Sequence, residues 1–232
     1  MEHMEFSAAA LTTLDSWWAR RAEVFGKWLW VYFWMQIIPL IPAVIAVICE
    51  INETPLPFVE LLNYLLSGVC IWILYKLGAQ EDRFKTCAGL SLILLVAGAA
   101  IGLLDSEVTA NLWSIPGGIL ELVVTYQFMM GCAEILATTD TELSEKWRKL
   151  WTWNVGLLIG SIVLFPLLLV LYVAVDNILI ALLTLILALG FAIALPAVAI
   201  AQMVYLYRTA RLFRGMAKTM NWSADGTVGE MD

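Results

Sequence analysis

Charged residues are scarce in this chain. Of its 232 residues, 14% are charged and 62% are hydrophobic, whereas an ordinary soluble domain is about a quarter charged and about half apolar. The mean hydropathy is +0.85. This composition excludes a soluble globular enzyme, a disordered protein and a disulfide-rich secreted module. The sequence therefore predicts an integral membrane protein.

The residues that usually carry catalysis or metal binding are also few. The chain has one histidine, His3, and four cysteines without a C-x-x-C pair, so we expect neither a metal nor another cofactor. No phosphate-binding glycine loop, serine elbow or H-E-x-x-H motif occurs, and we predict a protein that is not an enzyme. The net charge is −7 and no long basic tract is present, which argues against nucleic acid as a partner.

Six apolar segments approach or exceed the roughly 20 residues that a helix needs to cross a bilayer. They are residues 28–49, 58–75, 87–104, 112–137, 155–175 and 178–207. None alternates polar and apolar residues as barrel strands do, so the predicted fold class is all-α with six transmembrane helices. The second and third segments are short, which leaves a five-span interpretation open.

Basic residues fall on one side of these spans. All thirteen lysines and arginines precede the first span, follow the sixth, or lie in the second-to-third and fourth-to-fifth connections. Because positive loops stay in the cytoplasm, we predict a multi-pass protein of the cell membrane with both termini cytoplasmic. The predicted organisation is an amphipathic cytoplasmic segment (1–27), a transmembrane domain (28–207), and a basic helix end with a flexible tail (208–232).

Residues 141–151 have the pattern of a helix that lies in the membrane surface. Large apolar residues recur at helical spacing opposite charged ones, and Thr139 with Glu142 matches a capping box. We predict Trp147 and Trp151 as the interfacial anchors of this helix, because tryptophan is favoured at headgroup level. The first 27 residues show a similar pattern.

Glycines and prolines point to helix contacts and helix breaks. Two G-x-x-x-G pairs predict close helix packing, either within the bundle or between subunits. They are Gly98 with Gly102, and Gly156 with Gly160. The run Pro116-Gly117-Gly118 predicts a helix break of the kind that builds transporter sites, or a simple bend near the outer interface.

Glu121 is the most unusual polar residue of the sequence. It lies nine residues into the fourth span, about 13 Å along the helix axis, and no lysine or arginine lies inside any span to neutralise it. Thr125 is one turn away on the same face. With Gln36 and Asn63, these residues would form a polar site for a solute or ion if they converge on one cavity. Alternatively, Glu121 is a protonated structural donor to a carbonyl freed by Pro116 or to another helix.

Two functional hypotheses follow. The first is a membrane-embedded protein, or transporter subunit, that binds or transports a small solute or cation through Glu121. The alternative is a non-catalytic structural or partner-binding protein that works through its cytoplasmic tryptophans and basic helices. The expected partners are the lipid bilayer and a second copy or another membrane subunit.

Overall fold

The computed structural model describes residues 8–39, 57–104, 107–164, 166–167, 170–171 and 178–226, and no strand occurs within them. Within these ranges, six α-helices follow one another. They are α1 (Ala8–Ile37), α2 (Pro57–Gly78), α3 (Asp82–Leu104), α4 (Glu107–Leu136), α5 (Thr141–Ile159), which continues as a π-helical turn over Gly160–Leu164, and α6 (Ile178–Gly226). The predicted all-α class is confirmed.

Four of these helices are long and apolar enough to cross a membrane. The apolar stretches are Leu61–Gly78, Asp82–Leu104, Asn111–Leu136 and Leu182–Thr219. They correspond to the second, third, fourth and sixth predicted spans, and they support a membrane-embedded protein. The predicted first and fifth spans lie partly outside the described residues, as do both chain ends, so the count of six spans stays a prediction.

The helices do not stop where the hydropathy changes. Helix α1 passes from the predicted N-terminal segment into the first span, and the 49-residue α6 continues beyond residue 207 to Gly226. Helix α5 joins the predicted interfacial stretch 141–151 to the start of the fifth span, which corrects the prediction of a separate surface helix. No proline stands at these boundaries, so nothing interrupts the backbone hydrogen bonds of the helix.

The chain divides into two compact units, Met1–Gly131 with Leu206–Asp232, and Cys132–Tyr205. In the first unit, the buried core lies in the same part of the helices as the basic residues. We name this part the basic end. Its largest fully buried side chains are Phe25, Leu29, Ile73, Leu77, Phe84, Met129 and Leu206. Farther along α3 and α4, large apolar side chains such as Val96, Leu103 and Ile115 are exposed. That is the distribution expected for helices whose outer faces meet lipid.

Arg21 of α1 forms hydrogen bonds with the turn between α2 and α3. Its guanidinium donates to the backbone oxygen of Gln80 at 3.1 Å and to Oε2 of Glu81 at 3.5 Å. The rings of Trp17, Trp18 and Phe25 lie 5.1 to 5.6 Å from the guanidinium carbon. Cation–π contacts of this kind add to the ion pair and hold the arginine in one position.

The contacts within the second unit show where α5 begins and where the side chain of Trp147 lies. Asp140 caps this helix by accepting a hydrogen bond from the Leu143 N–H at 2.9 Å, so the cap is one residue later than the predicted Thr139. Trp147 is fully buried and its ring packs against Tyr205 at 6.0 Å. The prediction of Trp147 as a headgroup anchor is therefore wrong, because its ring fills the protein interior. Trp151 is half-buried.

Helices α1 and α6 approach each other closely at Gly26. A Cβ atom added there would lie 2.8 Å from the backbone nitrogen of Arg214 and 3.0 Å from its Cα. Because these are backbone atoms, they cannot move aside as a flexible side chain would. Gly26 therefore permits the contact between the two helices.

We predict that Gly26→Ala lowers the stability of the protein by about 1–3 kcal/mol, the usual effect of overpacking. Gly89→Ala is the matched control, since nothing lies within 4 Å of a Cβ added at Gly89. That control should be neutral or up to about 1 kcal/mol more stable, because alanine favours a helix over glycine. Thermal unfolding of the detergent-solubilised variants measures both. Equal midpoints for the two variants would contradict the close approach.

Candidate functional site

The described contacts do not join the four residues of the predicted polar site. Glu121 is exposed on α4, and Thr125 Oγ1 donates to its backbone oxygen at 2.9 Å rather than to its carboxylate. Gln36 is half-buried on α1 and Asn63 is exposed on α2. None of the four lines either of the two cavities described below. Their convergence stays a prediction.

Helix α4 runs without interruption through Pro116, Gly117 and Gly118. The run is thus not a gap between two half-helices, and the predicted bend is the remaining interpretation. A proline within a helix frees the carbonyl four residues earlier, here that of Leu112. On a continuous helix, Leu112 and Glu121 are about 13 Å apart along the axis. Glu121 of the same helix cannot reach that carbonyl.

A different site lies at the basic end, between α1 and α6. A cavity of about 340 Å³ opens beside the Gly26 contact. Its walls are formed by Glu23, Lys27, Trp30, Val31, Arg214, Ala217 and Lys218. A second cavity, of about 520 Å³, shares Trp30, Arg214 and Lys218 with the first and adds Tyr207, Arg211 and Gly215. Because of these shared walls, we treat the two cavities together and name them the α1–α6 site.

Helical spacing brings the lining residues of α6 to one face. Tyr207, Arg211, Arg214 and Lys218 are separated by four, three and four residues, so their side chains form a single stripe over three turns. On α1, Glu23, Lys27 and Trp30 are spaced in the same way. The close approach at Gly26 lets the two stripes form opposite walls of one site.

Positive charge dominates the α1–α6 site. Lys27, Arg211, Arg214 and Lys218 line it together with a single carboxylate, that of Glu23. Within the described part of the chain, none of these four cations forms an ion pair. All four are exposed, so their charges are available to a ligand. A site of this composition attracts an anion.

Aromatic rings form the other component of the site. The Arg214 guanidinium carbon lies 4.7 Å from the centre of the Trp30 ring. Trp30 in turn packs against Tyr207 at 5.6 Å, and Tyr207 packs against Phe33 at 5.5 Å. Stacking on Trp30 restricts the orientation of the guanidinium without neutralising its charge.

In the sequence, the cations of this site served to orient the protein in the membrane and, in the alternative hypothesis, belonged to a basic partner-binding surface. The stripe from Tyr207 to Lys218 was readable as one helical face, and it could have been recognised as a binding surface. Its pairing with α1 could not, because Gly26 and Arg214 are remote in the sequence. Among the described residues, no group of three or more His, Cys, Asp or Glu side chains could hold a metal ion.

Searches of protein-family models, of curated proteins and of solved structures found no match to this chain.

We predict that Glu121→Leu changes stability by no more than about 0.5 kcal/mol, because the side chain is exposed and has no hydrogen-bond partner among the described residues. Thermal unfolding in detergent measures this, with Glu121→Gln as the polar control. A loss of about 1–3 kcal/mol in the leucine variant alone would reveal a structural hydrogen bond.

Proton transport through Glu121 is tested separately in vesicles. If Glu121 carries protons, vesicles with the wild-type protein will lose an imposed pH gradient, whereas vesicles with the Glu121→Gln variant will keep it.

Proposed function

We propose that this protein is a non-catalytic, membrane-embedded binding protein that holds an anionic ligand at its basic end. The observation that carries the proposal is the α1–α6 site, where four cations without ion pairs among the described residues line two adjoining cavities, three cations in each. A cluster of like charges repels itself in the absence of a ligand. An anion between the two helices removes that repulsion and adds charge-assisted hydrogen bonds.

Transport through Glu121 is the second hypothesis. It is supported by one observation, an exposed carboxyl group within the apolar stretch Asn111–Leu136. An ionisable group in such a stretch is unfavourable in lipid and is often functional. Binding at the basic end has the stronger support, since that site has both a cavity and several converging charged groups.

The proposed orientation places the basic end in the cytoplasm and both termini on the same side of the cell membrane. Its support is the distribution of the thirteen basic residues, which follows the positive-inside rule for six spans. In that orientation, the α1–α6 site faces the cytoplasmic leaflet.

Inorganic phosphate provides a direct test of anion binding. At a concentration about five times its dissociation constant, phosphate should stabilise the wild type by about 1 kcal/mol, or roughly 2–4 °C in unfolding midpoint. Sodium chloride at equal ionic strength is the salt control. The double variant Arg211→Gln/Lys218→Gln should lose most of this shift, because it removes two of the four charges. An identical shift in that variant would contradict binding at this site.

A matched variant controls for charge in general. Arg148→Gln/Lys149→Gln also removes one arginine and one lysine, both exposed on α5 and neither lining the site. This variant should respond to phosphate as the wild type does. A loss of response in both double variants would indicate that phosphate acts through overall charge.

Orientation is testable with single cysteines in a background without the native cysteines. Positions 85, 111 and 148 are suitable, because Lys85, Asn111 and Arg148 are exposed. In intact cells, an impermeant thiol reagent should label position 111 and leave positions 85 and 148 unlabelled. Permeabilised cells provide the labelling control. Labelling at 85 and 148 but not at 111 would reverse the proposed orientation.

A further inference from the structure

The cations of α6 begin where its apolar part ends. From Ile178 to Tyr207 the helix has no lysine or arginine, and four follow within the next eleven residues. On α1, Lys27 directly precedes the apolar stretch that starts at Trp28. A helix that crosses a bilayer changes from apolar to charged residues at the headgroups. Both walls of the α1–α6 site therefore belong at the depth of lipid phosphates.

An aromatic surface continues from the cations toward the apolar part of the helices. Phe33 lies 6.0 Å from Trp30 and 5.4 Å from Trp34, with ring centres as the reference points. Tyr207 contacts both Trp30 and Phe33 from α6. The surface is thus continuous across the two helices, cationic at one end and aromatic along its length.

We infer that the ligand of the α1–α6 site is an anionic phospholipid, with its phosphate among the cations and its acyl chains along Trp30, Phe33 and Tyr207. This inference rests on the proposed anion-binding function and names the class of ligand. A soluble anion would use the charges alone, whereas a phospholipid matches the charged and the aromatic parts at once. Basic pockets between membrane helices at the cytoplasmic face suit such headgroups.

The carboxylate of Glu23 restricts which lipid headgroups fit the α1–α6 site. This carboxylate lines the cavity beside Lys27 and Lys218, where it repels a second negative charge and can accept hydrogen bonds from hydroxyl groups. A headgroup with one phosphate charge and free hydroxyls fits this arrangement. Phosphatidylglycerol is accordingly the probe for the experiment, and zwitterionic phosphatidylcholine is the comparison.

The experiment measures lipid binding to full-length protein in neutral detergent. Native mass spectrometry counts retained phosphatidylglycerol or phosphatidylcholine, and a titration with each lipid follows the unfolding midpoint. Wild type should retain phosphatidylglycerol in preference to phosphatidylcholine. Arg211→Gln/Lys218→Gln should bind phosphatidylglycerol at least about tenfold more weakly, since each basic residue near a membrane surface contributes about fivefold. Arg148→Gln/Lys149→Gln should bind it as the wild type does.

Glycerophosphoglycerol, the deacylated form of phosphatidylglycerol, separates a lipid from a soluble ligand, because it keeps the singly charged phosphodiester and the free hydroxyls but has no acyl chains. If it stabilises the wild type as well as phosphatidylglycerol, and only the Arg211/Lys218 variant loses this effect, the site binds an anion but the lipid inference is overturned. If the Arg211/Lys218 variant responds to every anion as the wild type does, the proposed function fails as well. Equal losses in the two double variants would assign lipid binding to overall surface charge.

If a variant fails to fold, lipid retention by the wild type still tests the inference. Equal retention of phosphatidylglycerol and phosphatidylcholine by the wild type would overturn it without any substitution. Circular dichroism and size-exclusion chromatography establish beforehand that each double variant is helical and monodisperse.

Discussion

The contact between α1 and α6 at Gly26 is the constraint on which the basic end depends. A glycine at this position lets the backbone of Arg214 approach within a distance that any Cβ would prevent. The approach brings Phe25 within 5.4 Å of Phe213 on one side of the contact and forms the cavity of Lys27, Trp30 and Arg214 on the other. One small residue thus supports both the packed core and the charged site.

The location of the core follows from the two solvents that a membrane protein meets. Among lipid tails, an apolar side chain gains little free energy when it moves from lipid into a helix contact. Near water, burial of the same side chain contributes about 25 cal/mol per Å² of apolar area removed from water. Phe25, Phe84 and Leu77 are accordingly buried at the basic end. Val96 and Leu103 remain exposed farther along α3, where lipid would cover them.

Much of the helical content was predictable because it depends on local properties. Four of the predicted spans correspond to helices that the structure describes, since length and hydropathy alone determine such a helix. Hydropathy could not show where helices end, because α1, α5 and α6 continue across the change in polarity. It also could not distinguish a tryptophan that faces headgroups from Trp147, which packs against Tyr205. The α1–α6 site was beyond reach for the same reason, since its walls are brought together only by the fold.

A ligand among these cations would also affect the stability of the fold. Lys27 lies on α1 and Arg211, Arg214 and Lys218 lie on α6, so their mutual repulsion acts across the contact at Gly26. An anion bound between the two helices turns that repulsion into attraction, and it stabilises only the folded protein. In a membrane rich in anionic lipid, binding and folding would then be coupled. The aromatic contacts from Trp30 to Tyr207 would remain after the ligand leaves, since they do not depend on charge.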